Sequence, residues 1–213
     1  MTRFPSTLWS VIDDARGGAP EALEAFVQGY RPAVVAWLSR QGHAGDAEDL
    51  AQEVFLRLLT GGVLARIDPR QGRFRSLVLA VARNVLGHHV ERRLAAKRGG
   101  GRVERLGERE PPSPEVEERE FDEEWARLLL GRALGRLESE NARYHGIVRL
   151  ASEDVSHDEI GRQLGLSKTQ VKDALYRSRK RLAALVRDEV REYCSAEEDL
   201  QAELRRLGGY LPA

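Results

Sequence analysis

The stretch 156–182, SHDEIGRQLGLSKTQVKDALYRSRKRL, holds two helix starts eleven residues apart. Ser156 is followed three residues on by Glu159, and Ser167 by Gln170. Each pair reads as a capping box: the serine hydroxyl accepts from the third backbone amide of the helix, whose own side chain reaches back to the cap's N–H. Ile160 and Leu164 give the first helix an apolar side, Gly165 supplies the turn, and Leu166 plugs the core. A short capped helix, a glycine turn and a second capped helix predict a helix-turn-helix. At about 100° per residue, Val171, Leu175, Ser178, Leu182 and Leu185 fall on one stripe of the second helix. Thr169, Lys172, Asp173, Tyr176 and Lys180 fall opposite it. A face that mixes donors, an acceptor and an aromatic suits base edges in a major groove. Arg177, Arg179 and Arg181 flank that face and suit phosphates.

Outward from this motif the chain reads as helix throughout. Its 213 residues allow one domain or two modest ones, and a hydrophobic fraction of 41% is enough for real cores. Aromatics are few and β-branched residues do not cluster in alternating runs. Ala, Leu, Arg and Glu dominate, and these are good helix formers. The expected fold class is all-α.

The formal net charge of zero hides a block pattern. From Arg70 to Arg98 eight basic residues face Glu91 alone, while from Glu104 to Glu124 ten acids face three arginines. From His157 to Arg187 eight basic residues face three acids, and from Asp188 to the end acids lead again by seven to three. Two basic blocks on periodic helices, parted by an acidic one, suggest two surfaces for a polyanion and a solvated connector.

Before the connector, Ser6 and Thr7 can cap a first short helix ending near Asp14. Gly17 and Gly18 break it, and Pro20 suits the first turn of the next helix. There Leu23, Phe26, Val27, Tyr30, Val34, Trp37 and Leu38 form one apolar stripe that ends near Gly42. Asp46 can cap a third helix over 47–59, with Leu50, Val54, Phe55 and Leu58 inward and Glu48, Asp49, Gln52 and Glu53 as an acidic outer face. A loop with Asp68, Pro69 and Gly72 leads to a fourth helix over 73–98, with Leu77, Val81, Val85 and Leu86 inward and the basic block outward. Gly99 to Gly101 and then Pro111, Pro112 and Pro114 mark a flexible linker. The glycines lack a preceding strand and a following Gly-Lys-Ser/Thr, so they make no phosphate loop. Helices resume near Phe121 and again over 142–152.

These residues resemble the sigma-70 family, specifically its extracytoplasmic-function group. HDEIGRQLGLSKTQVKDALYRSRKRL looks like the domain that reads the promoter −35 element. GDAEDLAQEVFLRLL resembles the family's helix for core polymerase, and GRFRSLVLAVARNVLGHHVERR its −10-reading helix. The opening TRFPSTLWSVI and the KRGGG after the fourth helix resemble one subgroup of such factors. The resemblance implies a four-helix sigma2-like domain over 1–98, an acidic flexible linker over 99–120, a sigma4-like helix-turn-helix domain over 121–187, and a C-terminal extension over 188–213. It implies contact of Asp49, Gln52 and Glu53 with the clamp coiled coil of the polymerase β′ subunit, and of the chain with the β flap. Arg73, Arg75, Asn84, His88, Arg92 and Arg93 would meet −10 DNA, and the loop 61–72 would hold a flipped base, unstacking costing on the order of a few kcal/mol. Lys168, Thr169, Lys172, Asp173, Tyr176 and Arg177 would address the −35 element. An anti-sigma factor is a further implied partner. Leu77 stands where many relatives have tryptophan, and Phe74 is the sole aromatic of the −10-like helix, so stacking support for melting is thin and suits a restricted set of promoters. The segment with Tyr193, Cys194 and Leu204 runs past the family's usual end and either packs back on the −35 domain or regulates it.

Other function classes fit less well. His88, His89, His145 and His157 come without H-E-x-x-H or carboxylate–histidine spacing. Adjacent His88 and His89 point about 100° apart on a helix, so neither an enzyme nor a metal or cofactor is expected. A stand-alone helix-turn-helix regulator is the alternative, but it leaves the acidic helix and the basic fourth helix without a role. Cys194 is the only cysteine, which excludes a disulfide framework. No signal pattern or membrane span is read, so the protein is expected in the cytoplasm without membrane insertion.

Overall fold

A computed structural model describes residues 20–60, 74–99, 113–194 and 196–210. Among them the chain runs α1 (Pro20–Leu38), a π-helical turn (Ser39–His43), α2 (Ala47–Thr60), α3 (Phe74–Gly99), α4 (Pro114–Glu140), α5 (Ala142–Ser152), α6 (His157–Leu164), α7 (Lys168–Arg191) and α8 (Glu197–Leu207). No strand occurs among the described residues, so the all-α expectation holds. The helix expected over 6–14, the loop 61–72, Arg73, and the glycines and prolines between 100 and 112 lie outside the described residues, as do the side chains of Leu23 and Phe26. No described helix is long and apolar enough to cross a membrane.

The chain divides into two compact units, one of Met1–Arg127 with Tyr193–Ala213, the other of Leu128–Glu192. In the first, α1 buries Tyr30, Val34, Trp37 and Leu38 along the expected stripe. The helix then widens into the π-helical turn, and Gly42 takes a left-handed conformation (φ 88°) that a side chain would oppose. Asp46 accepts the first backbone bond of α2, from the Leu50 amide. Leu50, Val54, Phe55 and Leu58 of α2 are buried as the periodicity predicts.

Two expectations for this unit are corrected. The inward residues of α3 are Phe74, Arg75, Val78, Leu79, Ala82 and Val85, whereas Leu77, Val81 and Leu86 are half-buried. The acidic stretch is also not all linker, because helix α4 begins at Pro114. Ser113 starts it, its carbonyl receiving the Glu117 amide and its hydroxyl the Val116 amide. Pro114 sits at the first helical position, where its missing N–H costs nothing. The first turns of α4 meet the π-helical turn and α3 through polar side chains: Arg40 reaches Glu123 at 2.8 Å and Glu124 at 3.0 Å, Gln41 reaches Glu120 at 2.7 Å, and Arg83 reaches Glu117 at 2.8 Å. Trp37 donates its indole N–H to the Glu117 carbonyl.

Beneath these pairs Phe121 and Trp125 are fully buried. Trp125 stacks on Tyr30 with ring centres 5.0 Å apart, and Phe74 and Tyr193 close the aromatic cluster. Such pairs add about 0.5–1.5 kcal/mol beyond area burial. Tyr193, Cys194, Leu200 and Leu207 are buried residues of the C-terminal segment, which therefore belongs to this first unit.

The second unit is built on the Ile147, Leu150, Ile160, Val171 and Leu175 cluster, with Val155, Leu164 and Leu166 against it. Asn141 caps α5 by accepting from the Tyr144 amide at 3.0 Å. Arg132 and Arg136 each hold the buried Glu189 carboxylate of α7 at 2.9 Å.

Candidate nucleic-acid interface

The helix-turn-helix has the geometry its sequence implies, with one difference. Ser167 and Gln170 complete a capping box, the Ser167 N–H donating to the Gln170 side chain at 2.8 Å and the Gln170 amide to the Ser167 hydroxyl at 3.3 Å. Ser156 caps α6 through the Glu159 amide, but the Glu159 carboxylate turns to Arg162 and Gln163 instead of reaching back. The turn depends on two glycines. Gly165 is left-handed (φ 66°), and the Leu166 amide donates back to the Gly161 carbonyl at 2.8 Å. That return brings the Leu166 carbonyl so near Gly161 that a Cβ there would sit 2.5 Å from it. Sequence reading found Gly165 and missed Gly161, whose signal was a glycine on the inner side of a short helix.

Val171, Leu175, Ser178, Leu182 and Leu185 are all buried, and Lys168, Thr169, Lys172, Asp173, Tyr176, Arg177, Arg179 and Lys180 are all exposed. Tyr176 is 68% exposed, which is unusual for a large ring and marks the outer face as unfilled. Lys168 and Arg181 already have partners as well. Lys168 meets Asp158 at 3.1 Å, and Arg181 grips Glu140 with two nitrogens at 2.7 Å. That hydrogen-bonded grip holds the Glu140 carboxyl below its usual range. Arg181 is therefore a brace for the domain, whereas Arg177 and Arg179 are exposed.

In the first unit the expected site residues separate. Asn84, His88, Arg92 and Arg93 lie on the exposed side of α3, with His88 near Glu91, Arg92 near Glu53 and Arg93 at 3.1 Å from Asp46. Arg75 does not join them. Its side chain is 0% exposed, with its Nε 2.7 Å from Glu203 and its Nη1 on Asp122. Arg206 holds the other Asp122 oxygen at 2.7 Å, and the Tyr193 hydroxyl donates to Glu203. Burial pushes the Tyr193 phenol well above its ordinary value, with Glu203 adding to the effect, so it stays a donor. Expected at a DNA surface, Arg75 is a buried counterion instead, because α4 and α8 bring two carboxylates to it. Phe74, the sole aromatic of the −10-like helix, is 1% exposed within the aromatic cluster.

On α2, Asp49 and Gln52 are exposed, while Glu53 is half-exposed and bonded to Arg57 at 2.6 Å. Leu56 continues the same face one turn on and is 56% exposed. Positions 49, 52, 53 and 56 follow helical spacing, so the acidic face ends in an apolar tip that the sequence pattern alone had not singled out.

The sigma-70 region 2 family model matches residues 26–95 of this chain. Over those residues the chain is similar to sigma-70 region 2. A probable RNA polymerase sigma-C factor of Mycobacterium bovis is 36% identical over 76 residues, a span that covers 36% of this chain and 40% of that protein. The extracytoplasmic-function (ECF) RNA polymerase sigma factor SigC of Mycobacterium tuberculosis shows the same identity over the same shares. The match thus spans about two-fifths of the curated relatives' length. The likeness is to sigma factors, one of them named as an ECF factor. Residues 26–95 take in most of α1, all of α2 and most of α3, whereas the helix-turn-helix lies outside that match.

Proposed function

We propose that this chain is a sigma factor, a non-catalytic initiation factor that binds core RNA polymerase and directs it to specific promoters. The observation that carries this reading is the pairing of two distinct faces on one matched domain: the acidic, Leu56-tipped face of α2 and the exposed polar side of α3. In this reading Asp49, Gln52 and Glu53, with Leu56, engage the β′ clamp coiled coil. Asn84, His88, Arg92 and Arg93, together with Arg73, meet −10 DNA. Lys168, Thr169, Lys172, Asp173, Tyr176 and Arg177 read the −35 element, and Arg75 is omitted because it is a buried counterion. The two-part division supports a two-point promoter reader, one unit opening DNA and the other docking on it. An anti-sigma factor fits the reading as a regulator.

A DNA-binding test with and without polymerase separates this from a stand-alone helix-turn-helix regulator. The sigma reading expects weak binding to promoter duplex by the free chain and tight, promoter-selective binding once core polymerase is added. Tight, sequence-specific binding by the chain alone, unchanged by core, would make it a regulator instead. Within the complex, Lys172→Ala should change the preferred −35 sequence. A uniform loss over all sequences would mark Lys172 as a phosphate contact.

A further inference from the structure

Three ligand-type side chains meet where the chain turns from α1 into α2. His43 closes the π-helical turn, Asp46 follows three residues later, and His89 comes from the middle of α3. One ligand atom from each lies within 4.8 Å of the others. The two imidazoles meet edge to face with ring centres 5.6 Å apart. His43 Nδ1 and His89 Nε2 are both buried without a hydrogen-bond partner, which is costly for polar atoms inside a fold. The feature was not legible from spacing, because His43 and His89 are 46 positions apart.

From this geometry we infer that His43, Asp46 and His89 form a binding site for a divalent transition-metal ion of the Zn²⁺ type. Zinc takes imidazole nitrogen and carboxylate oxygen at about 2.0–2.1 Å in a tetrahedron, which puts neighbouring ligand atoms about 3.3 Å apart. His89 Nε2 and Asp46 Oδ2 are 3.3 Å apart. Two imidazoles select zinc, cobalt or nickel over magnesium or calcium, which prefer all-oxygen shells. Three protein ligands leave the fourth position for water. Burial, with His89 and Arg93 adding to it and Asp46 opposing, lowers the affinity of His43 for a proton. Arg93 now neutralises Asp46 at 3.1 Å, and its half-exposed side chain can swing to solvent when the metal takes over that charge. The ion ties the start of α2 to α3.

The test uses the full-length, untagged chain stripped with a chelator. Titration with Co²⁺ should give the visible absorption of a four-coordinate nitrogen–oxygen site, saturating at one ion per chain and displaced by Zn²⁺. X-ray absorption of the Zn²⁺-loaded chain should resolve two imidazole ligands. His43→Gln and His89→Gln should each weaken binding by at least about tenfold, the lower end of what even outer-shell changes cost. His88→Gln, next door but exposed, should leave it unchanged. No saturable uptake, or an equal effect of all three substitutions, overturns the site. If either Gln variant fails to fold, the imidazole count on the wild-type chain decides: fewer than two overturns the site.

Discussion

Gly161 and Arg75 show how single residues set the two units. At Gly161 an added methyl has no room, because the atom it meets is backbone. Gly161→Ala should destabilise the second unit by about 1–3 kcal/mol, the range for overpacking, read by denaturant unfolding; an unchanged midpoint would mean the turn relaxes freely. Arg75 sits between Asp122 and Glu203, all three buried. Removing one partner from such a group leaves uncompensated charge, so Arg75→Leu should cost about 3–5 kcal/mol of stability. If stability instead held and only DNA binding fell, the residue would be a surface contact after all. Serine caps and buried leucines of the helix-turn-helix were legible because they depend on neighbours within a few positions. The fate of Arg75 was not, since its partners lie 47 and 128 residues away.

At the scale of elements, α2 and α7 followed their periodicity because each is covered on one side. The inward residues of α3 extend beyond the expected phase, because the arginine near its start is claimed by carboxylates from α4 and α8. The start of α4 was in principle readable from Ser113-Pro114, a cap followed by proline. The acidic run suggests solvated linker, yet its charges answer Arg40 of the π-helical turn and Arg83 of α3. Glu124 is one of these. Burial raises its carboxyl, but hydrogen bonds from Arg127 and Arg40 outweigh that and hold it below the usual 4.5. A depressed carboxylate contributes its stability above the unfolded value and loses it as pH falls through the folded one. Between pH 4.5 and the depressed value the wild type should therefore lose stability more steeply than Arg40→Gln; equal slopes would show that the pair contributes nothing. On α2, Leu56→Ala should leave stability within about 0.5 kcal/mol, as surface changes usually do, while weakening capture of core polymerase. Gln52→Ala with Glu53→Ala should act likewise. Core binding unaffected by both would remove α2 from the polymerase interface.

Over the whole molecule, the division into two units was expected from the charge blocks, but its boundary falls between Arg127 and Leu128, inside α4, and not in the 99–120 stretch. The C-terminal segment, for which the sequence offers packing on the −35 domain or a regulatory role, packs within the first unit instead. Tyr193 and Glu203 complete the surroundings of Arg75, a contribution visible only once the chain has returned on itself. Promoter-selective run-off transcription with purified core polymerase tests the central claim most directly. The account predicts that this chain makes core start at a discrete promoter set and that core alone does not. Unchanged start sites with the chain present, under conditions where it is folded, would contradict it.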